Sequence, residues 1–386
     1  MTSPFAVPRE EQRFVDAARD LAPRFAAAAD EHDHEATLPV ANLTALHEAG
    51  LDMAAMPRDR GGSGLSYQAL GEILGIVGKA CPSTACVWTM HLGAAQALVG
   101  YGPPVYAEEL AAGKRFANAL SEPTGGNLFL MPLQRAEPVD GGFELDGAKR
   151  FVSGCEIADH FLVNALVDDG PAFFGVSRDD SIEMVSIWDS MGLRGTRSQL
   201  VHFRNTLLRH GNRCHIVDPT APNIIALGLP WLSIGVAEAA LDAATDHARK
   251  RVVPSTGNPV GDMQWVHFDA ADAHVKLLAA RVLAERSMWL ADRNAPGALD
   301  AAVEAKLYAN QVAKDIAEFG LRVGGGSGFL RSSPIQRHFR DAQAGALMAF
   351  SVEVCRDMIG KRLTGGEQPR YGERGVERPV VDLHAT

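Results

Sequence analysis

What most constrains this chain is that its apolar residues change period twice along its length. From the start to Gly113, alanine and leucine dominate at helical spacing, interrupted by "PRDRGGSGLS", a run of turn-forming residues. From Lys114 to Pro219 the texture becomes short β-favouring runs, "HFLVNALV", "PAFFGV" and "QLVHF", separated by Asp-Gly, Gly-Gly and Asp-Asp turns. Within it, "GGFELDGAKRFVSG" reads as a hairpin about Asp146-Gly147. Beyond Pro219 helical spacing returns: Phe268, Ala271, Val275, Leu278, Val282 and Trp289 fall on one stripe, and Tyr308, Val312, Ile316, Phe319 and Val323 on another. Helical and strand zones kept apart in this way predict an α+β protein. The expected parts are an N-terminal helical domain over 1–113, a central β-barrel-like subdomain over 114–219, a C-terminal four-helix bundle over 220–364 and an extended tail over 365–386.

Charge narrows the partners. Asp and Glu outnumber Lys and Arg 47 to 37, a net charge of -10, which disfavours general attraction to nucleic acid or an anionic membrane and leaves small molecules as the expected ligands. No window offers the roughly 18 unbroken apolar residues of a spanning helix. The start, "MTSPFAVPREEQRF", lacks the basic and apolar segments of a secretory signal. The five cysteines, Cys81, Cys86, Cys155, Cys214 and Cys355, are odd in number and form no Cys-x-x-Cys pair. That usage suits a reducing compartment, so a cytoplasmic location is expected.

Four local patterns invite a chemical reading, and each has a plainer one. "EHDHEAT" gathers His32 and His34 with carboxylates, but residues two apart diverge on a helix; a solvated helix end is favoured and no metal site is expected. "GGGSG", Gly324 to Gly328, lets a backbone approach a phosphate, yet Phe329 breaks the G-x-G-x-x-G spacing and no strand precedes it, which leaves a helix cap and turn. "RKRVV" puts Arg249, Lys250 and Arg251 at a helix end, where the macrodipole favours cations with or without a bound anion. His91, in "WTMHLGAA", lies on an apolar helix, where a packed core role competes with acid–base catalysis.

Five strings, in order, carry more. "LHEAGLDMAAMPRDRGGSGLS", "ALSEPTGGN", "GAKRFVSGCEIADHFLV", "SMGLRGTRSQLVHF" and "GGGSGFLRSSPIQRHFRDA" together resemble the acyl-CoA dehydrogenase superfamily over nearly the whole chain. The resemblance implies FAD, held in a homotetramer in which a neighbouring subunit covers the ADP half of the cofactor. Carried over position by position, it places Leu120 and Ser121 at the isoalloxazine, Phe151 against it and the Ser153 hydroxyl near N5, with Gly126 and Asn127 following in the same loop. Arg251 would reach the pyrophosphate across the subunit interface, and Arg322, Gly325 and Gly326 would serve the adenylate end. Ser351 stands where the family has a threonine near the flavin. Such contacts tune chemistry that the cofactor supplies.

From Ala342 to Val352 the chain carries no ionisable side chain. Many family members have Tyr-Glu-Gly-Thr after Arg-Asp-Ala, the glutamate being the base that removes the α proton; this chain has Met348, Ala349, Phe350 and Ser351. A second family position for a glutamate, at the start of the Ala-rich helix, holds Ile225 and Ala226. Two readings follow. The first is α,β-dehydrogenation of an acyl thioester carried by CoA or a carrier protein, with a relocated base and with electrons passed to an electron-transfer flavoprotein or oxygen. Its candidate bases are His91 and Glu353, the latter read as lying on one helical face with Ala349. The second is a two-component flavin monooxygenase or oxidase served by a flavin reductase, suggested by "CPSTACVWTMH" and by a neutral pocket. A catalytically silent partner subunit is the remaining alternative.

Overall fold

The computed structural model describes residues 4–123, 131–215, 221 and 223–366; Gly126, Asn127 and most of the tail lie outside the described residues. The N-terminal region forms α1 (Gln12–His34), α2 (Val40–Glu48), α3 (Leu51–Ala54), α4 (Tyr67–Ala80), α5 (Pro82–Tyr101) and α6 (Val105–Ala111). Local chemistry sets their ends. Ser66 caps α4, accepting from the Ala69 N–H, while its own hydroxyl donates to Glu11 at 2.5 Å and ties the helix to the chain's start. Pro82 opens α5, where its missing N–H costs nothing. Apolar on every side, α5 is enclosed by the rest of the fold, with Trp88, Leu92 and Leu98 buried.

The central region contains β1 (Phe116–Ala119), β2 (Glu137–Val139), β3 (Gly142–Val152), β4 (His160–Val167), β5 (Gly170–Ser177), β6 (Ile182–Val185), β7 (Gln199–Arg209) and β8 (Arg213–Cys214). They make two four-stranded sheets, ordered β1-β4-β5-β8 and β2-β3-β7-β6. Phe161, Phe174 and Phe203 meet between the sheets in a core separate from that of the helices. One turn differs from expectation. Asp146-Gly147 is no hairpin: β3 runs straight through it, paired along its length with β7, and the register merely slips between Leu145 and Gly147, opposite Asn205 at φ 50°. Cross-strand pairing with a long neighbour turned a turn-forming dipeptide into a bulge. The hairpin turn is Asp140-Gly141, where Gly141 takes φ 81° and joins β2 to β3.

The C-terminal region comprises α7 (Ile224–Lys250), α8 (Gln264–Ala291), α9 (Ala298–Gly328), α10 (Pro334–Leu347) and α11 (Val352–Thr364). Helices α7 to α10 form the bundle, with α9 against the other three. Helix α7 also packs on α4 and α5, so both helical regions share one apolar core. That approach is close: a Cβ on Gly235 would stand 2.6 Å from the Lys79 nitrogen and 2.7 Å from the Gly75 carbonyl oxygen. By length and composition α7 resembles a membrane span, but it is buried in this core.

Two expectations about helices need correction. The stripe on α9 is buried, whereas the one on α8 faces outward. And the neutral run is not one helix: α10 ends at Leu347, Phe350 takes φ 56°, and α11 starts afresh, capped by the buried Ser351. Ala349 and Glu353 therefore share no helical face. The "GGGSG" stretch lies inside α9, which kinks at Gly325, φ 51° and ψ −145°.

Candidate active site

A cavity of about 520 Å³ opens between α5, the loop after α3, the sheet containing β1 and the first turn of α7, a size suited to a small organic molecule. Leu162 and Ile225 belong to its apolar wall, Gln96, Tyr101 and Asn118 to its polar edge, and Leu120 also lines it. The first turn of α7 is held in place by Asn223, whose side chain accepts from the N–H groups of Ile225 and Ala226, both at 3.1 Å. Sequence reasoning singled out Leu120 and Ile225 from this lining and missed the face of α5. The sequence trace of that face is Gly93, Gln96, Ala97 and Gly100, small or polar positions three, four and seven apart on an otherwise apolar helix.

Beyond Leu120 the chain is anchored by a buried ion pair. Glu122 accepts from the N–H groups of Leu133 (2.9 Å) and Gln134 (3.1 Å) and from the Lys149 ammonium (2.8 Å), which also reaches Asn164 at 2.9 Å. Burial pulls the Lys149 amine down, and Glu122 opposes it. With its partners supplied on both sides, the pair acts as a strut between the segment after β1 and strand β3, so removing either member alone costs about 3–5 kcal/mol. The half-buried Ser121 is fixed alongside, its carbonyl accepting from the Arg150 N–H at 2.8 Å.

At the end of β3, Phe151 has φ 59° and is 49% exposed, with the Arg150 guanidinium 4.1 Å from its ring centre. A bulky residue in the left-handed region costs of order 1–3 kcal/mol and persists only where its surroundings impose it. The effect here is to turn an aromatic ring outward beside Trp188. Two residues on, the buried Ser153 hydroxyl lies 2.7 Å from Ser198, itself 2.8 Å from Thr196. Leu120 lines the cavity, and the Ser121–Arg150 hydrogen bond sets it and Ser121 against the end of β3 that carries Phe151 and leads to Ser153, an apolar contact, an aromatic face and two hydroxyls. That donor set fits a flat, hydrogen-bonding flavin ring.

The other expected cofactor residues gather elsewhere. Arg251 ends α7, exposed, its carbonyl accepting from the Val260 N–H just before α8. Arg322 pairs with Asp269 at 2.8 Å and lies over Trp265. Gly325 and Gly326 are open to solvent, with nothing within 4 Å of a Cβ at either. These positions share the α7–α8–α9 end of the bundle and have no residue in common with the Phe151 surface.

Neither candidate base lies on the cavity wall. His91 is buried; its Nδ1 accepts from the Phe116 N–H at 3.0 Å, so the proton sits on Nε2, 3.5 Å from Asp52. Asp52 also takes hydrogen bonds from Trp88 (2.8 Å) and Arg115 (3.1 Å). Burial alone would raise the Asp52 carboxyl, but His91, His47 and Arg115 outweigh it and hold the group well below the usual range. His91 therefore occupies the packed interior. Glu353 is exposed in the first turn of α11.

Arg340 and Asp341, which precede the neutral run, brace the far wall. Arg340 pairs with Asp33 at 2.5 Å and donates to the Met191 carbonyl at 2.7 Å. Asp341, pushed up to about 6 by burial, accepts from the Leu193 N–H at 2.7 Å. Leu193 and Arg197 both take left-handed backbone angles in the loop so held, which leads to Ser198 and the Ser153 contact. Among the described residues no three of His, Cys, Asp or Glu converge as a metal site; His32 bonds to Thr37 and His34 to Glu35.

An aromatic and hydroxyl surface beside a largely apolar cavity, in a helix–sheet–helix frame, is the architecture of a flavin-dependent oxidoreductase. Profiles described as acyl-CoA dehydrogenase, N-terminal domain, and acyl-CoA dehydrogenase, C-terminal domain, match residues 8–111 and 225–364. Acryloyl-CoA reductase (NADH) of Anaerotignum propionicum is 26% identical over 386 residues, spanning 93% of this chain and 95% of its own. Among solved structures, butyryl-CoA dehydrogenase from Megasphaera elsdenii aligns with a TM-score of 0.85 at 22% identity, over 93% of this chain and 99% of that one. FMN-bound TdsC from Paenibacillus sp. A11-2 aligns with a TM-score of 0.83 at 21% identity, over the same shares. The chain belongs to the acyl-CoA dehydrogenase superfamily, and it is a flavin-dependent oxidoreductase of that family.

Proposed function

We propose that this protein is an FAD-dependent dehydrogenase that removes hydrogen from the α and β carbons of an acyl thioester carried by CoA or a carrier protein, its electrons then passing to an electron-transfer flavoprotein or to oxygen. The observation that carries this reading is the 520 Å³ cavity, largely apolar and lined by Leu120 of the segment after β1. The names of the bacterial acryloyl-CoA reductase and butyryl-CoA dehydrogenase point to acyl-CoA substrates. When bound, FAD accepts the hydride. The chain's residues do the rest: the cavity holds the acyl group away from water, Phe151 packs against the ring, and the Ser121 and Ser153 hydroxyls fix its orientation. The α proton leaves to a relocated base, since Ala349 stands at the family's usual position and neither His91 nor Glu353 lines the cavity.

FAD rather than FMN is supported by the second group, Arg251, Arg322, Gly325 and Gly326, whose open backbone and cations suit an ADP moiety. That group is separate from the Phe151 surface, and the neighbouring α8 exposes Phe268, Val275, Leu278 and Val282. Both features favour a second copy of the chain against α8, bringing its own ring-facing surface to this chain's cations, and a homotetramer overall.

One observation favours a second reading. Alanine stands at position 349, and a reaction of reduced flavin with oxygen, fed by a separate reductase, needs no base there. Anaerobic mixing of the FAD-loaded protein with short, branched, long and aromatic acyl thioesters separates the two. We expect at least one thioester to bleach the flavin. Bleaching by none of them, with oxygen consumed when reduced flavin is supplied, gives the oxygenase or oxidase instead.

A further inference from the structure

Two amides on the cavity wall turn their nitrogens to the backbone and leave their oxygens without a donor. Gln96, on α5, donates from Nε2 to the Ala55 carbonyl at 3.2 Å. Asn118, on β1, donates from Nδ2 to the Met90 carbonyl at 2.5 Å. A carbonyl accepts and cannot donate, so each contact fixes which end of the amide meets it and which end is left over. The oxygen left over on Asn118 is buried without a partner, and among the described residues no group donates to the one on Gln96. Polar atoms withdrawn from water are ordinarily satisfied, so two unmet acceptors in one cavity call for a donor from outside the chain.

The two amides share a wall. Gly93 stands one turn before Gln96, and a Cβ on it would lie 2.7 Å from the Ile225 side chain and 3.1 Å from Asn118 Nδ2; the glycine lets α5, β1 and the first turn of α7 close together there. Of Gly93, Gln96, Ala97 and Gly100, which face the cavity from α5, only Gln96 carries a polar side chain. Its anchor, Ala55, is buried at the end of α3, so the amide is held between two helices before any ligand arrives. The charged groups of the lining, Asp59 and Arg60, belong instead to the loop after α3, where Asp59 is exposed. On the Gln96 wall the acceptors are neutral. A hydroxyl, neutral and able to donate, suits them, whereas an ammonium would lose its water to groups that carry no charge.

We propose that Gln96 sets the class of substrate: its amide oxygen, with that of Asn118 on the same wall, accepts from a hydroxyl on the acyl chain, and the cavity takes hydroxylated acyl thioesters in preference to plain hydrocarbon ones. This rests on the acyl-thioester reading above and deepens it. The hydroxyl lies beyond the β carbon, because the α and β carbons are the ones presented to the flavin. A chain without it covers the Gln96 oxygen and strips away its water with nothing in return. Such a site rejects a missing donor more sharply than an apolar wall rejects a missing methylene.

The test is binding rather than turnover. The protein, with FAD present and reduced by dithionite so that no thioester is oxidised, is titrated calorimetrically with hexanoyl-CoA, with its derivatives hydroxylated on the fifth or sixth carbon, with the methyl ethers of these, and with the amine on the sixth carbon. In wild type at least one hydroxylated chain should bind at least about tenfold more tightly than hexanoyl-CoA, and its methyl ether, which keeps the oxygen but cannot donate, should lose the gain. In Gln96→Met, similar in length but without the amide, the two affinities should agree within about twofold; taking their ratio cancels any general loosening from the lost Ala55 contact. If that variant does not fold, the wild-type contrast between hydroxyl and methyl ether decides alone. Equal binding of hydroxylated and plain chains by wild type gives the oxygens to water and overturns this inference, leaving the proposed function standing. A preference that survives in Gln96→Met, or an amine that binds most tightly of all, overturns it as well. A wild type that binds none of the thioesters overturns the reading beneath it, and this inference with it.

Discussion

Helices α8 and α9 lie side by side, and each carries a stripe of large apolar residues at helical spacing, yet the stripes end in different places. On α9, Val312, Ile316, Phe319 and Val323 are at most 5% exposed. On α8, Phe268, Val275 and Leu278 are 61%, 63% and 54% exposed. The face that α8 turns to the bundle is instead Ala273, Leu277, Ala280, Ala284 and Met288, and its small side chains let the backbones come close. Periodicity therefore shows that a face will be covered, not by what. On α8 small residues predominate where it meets its neighbours within the chain, and its large ones stay exposed.

The sharpest way to break that contrast is to put a charge on each stripe. Ile316→Asp buries an unpaired carboxylate and is expected to cost more than about 4 kcal/mol, abolishing a cooperative melt. Val275→Asp with Leu278→Asp should leave the helical circular dichroism of the chain intact while light scattering reports a smaller assembly. Equal damage to the fold by both sets would erase the distinction between the helices. An unchanged mass would remove the second copy from α8.

A smaller effect should mark the covered side alone. His338 lies on α10, which packs on α9, and burial, aided by Arg337, lowers its imidazole to about 3. A folded value below the unfolded one means that the unfolded chain takes the proton first, so this contribution to stability is present above about pH 6.5 and is lost as pH falls towards 3. Asp341, raised to about 6, works in the opposite sense over the lower part of that range, its contribution lost as pH rises through 6. The difference between wild type and His338→Asn cancels the aspartate: the variant should gain on wild type by about 1.4 kcal/mol per pH unit below pH 6 in urea titrations. Parallel stability curves would show that His338 meets no penalty in the core.

The smallest expected effect tests what the open side is for. If a second copy brings its flavin to the α7–α8–α9 end, Arg251→Ala should weaken FAD retention about 10- to 100-fold, the loss of one charge-assisted hydrogen bond of about 1.5–3 kcal/mol. The exposed Arg9→Ala serves as the control, and equal flavin content after gel filtration would take Arg251 out of the cofactor site.

Much of the outline was legible before any coordinates. The switch from helical to strand spacing and back gave the three regions, because periodicity is set within a few residues and survives whatever the chain packs against. The alanine at position 349 and the glycine run on α9 were equally plain, since covalent order alone places them in their strings. The turn at Asp146-Gly147 misled because a long partner strand outbid the local preference for a turn. The shared helical face of Ala349 and Glu353 misled because Phe350, held at φ 56° among buried neighbours, breaks the helix between them.

What only the tertiary structure decided was which groups lose water together. Glu122 meets Lys149 across 27 positions, and Lys306 meets the Gly345 carbonyl across 39; no spacing rule reaches so far. Whether a buried amine is neutralised by a carboxylate or left to neutral acceptors depends on helices and strands that arrive from distant parts of the chain. The cost of burying charge is set by those neighbours, and so the two lysines, alike in the sequence, became an ion-paired strut in one place and, among the described residues, an amine held by neutral acceptors in the other.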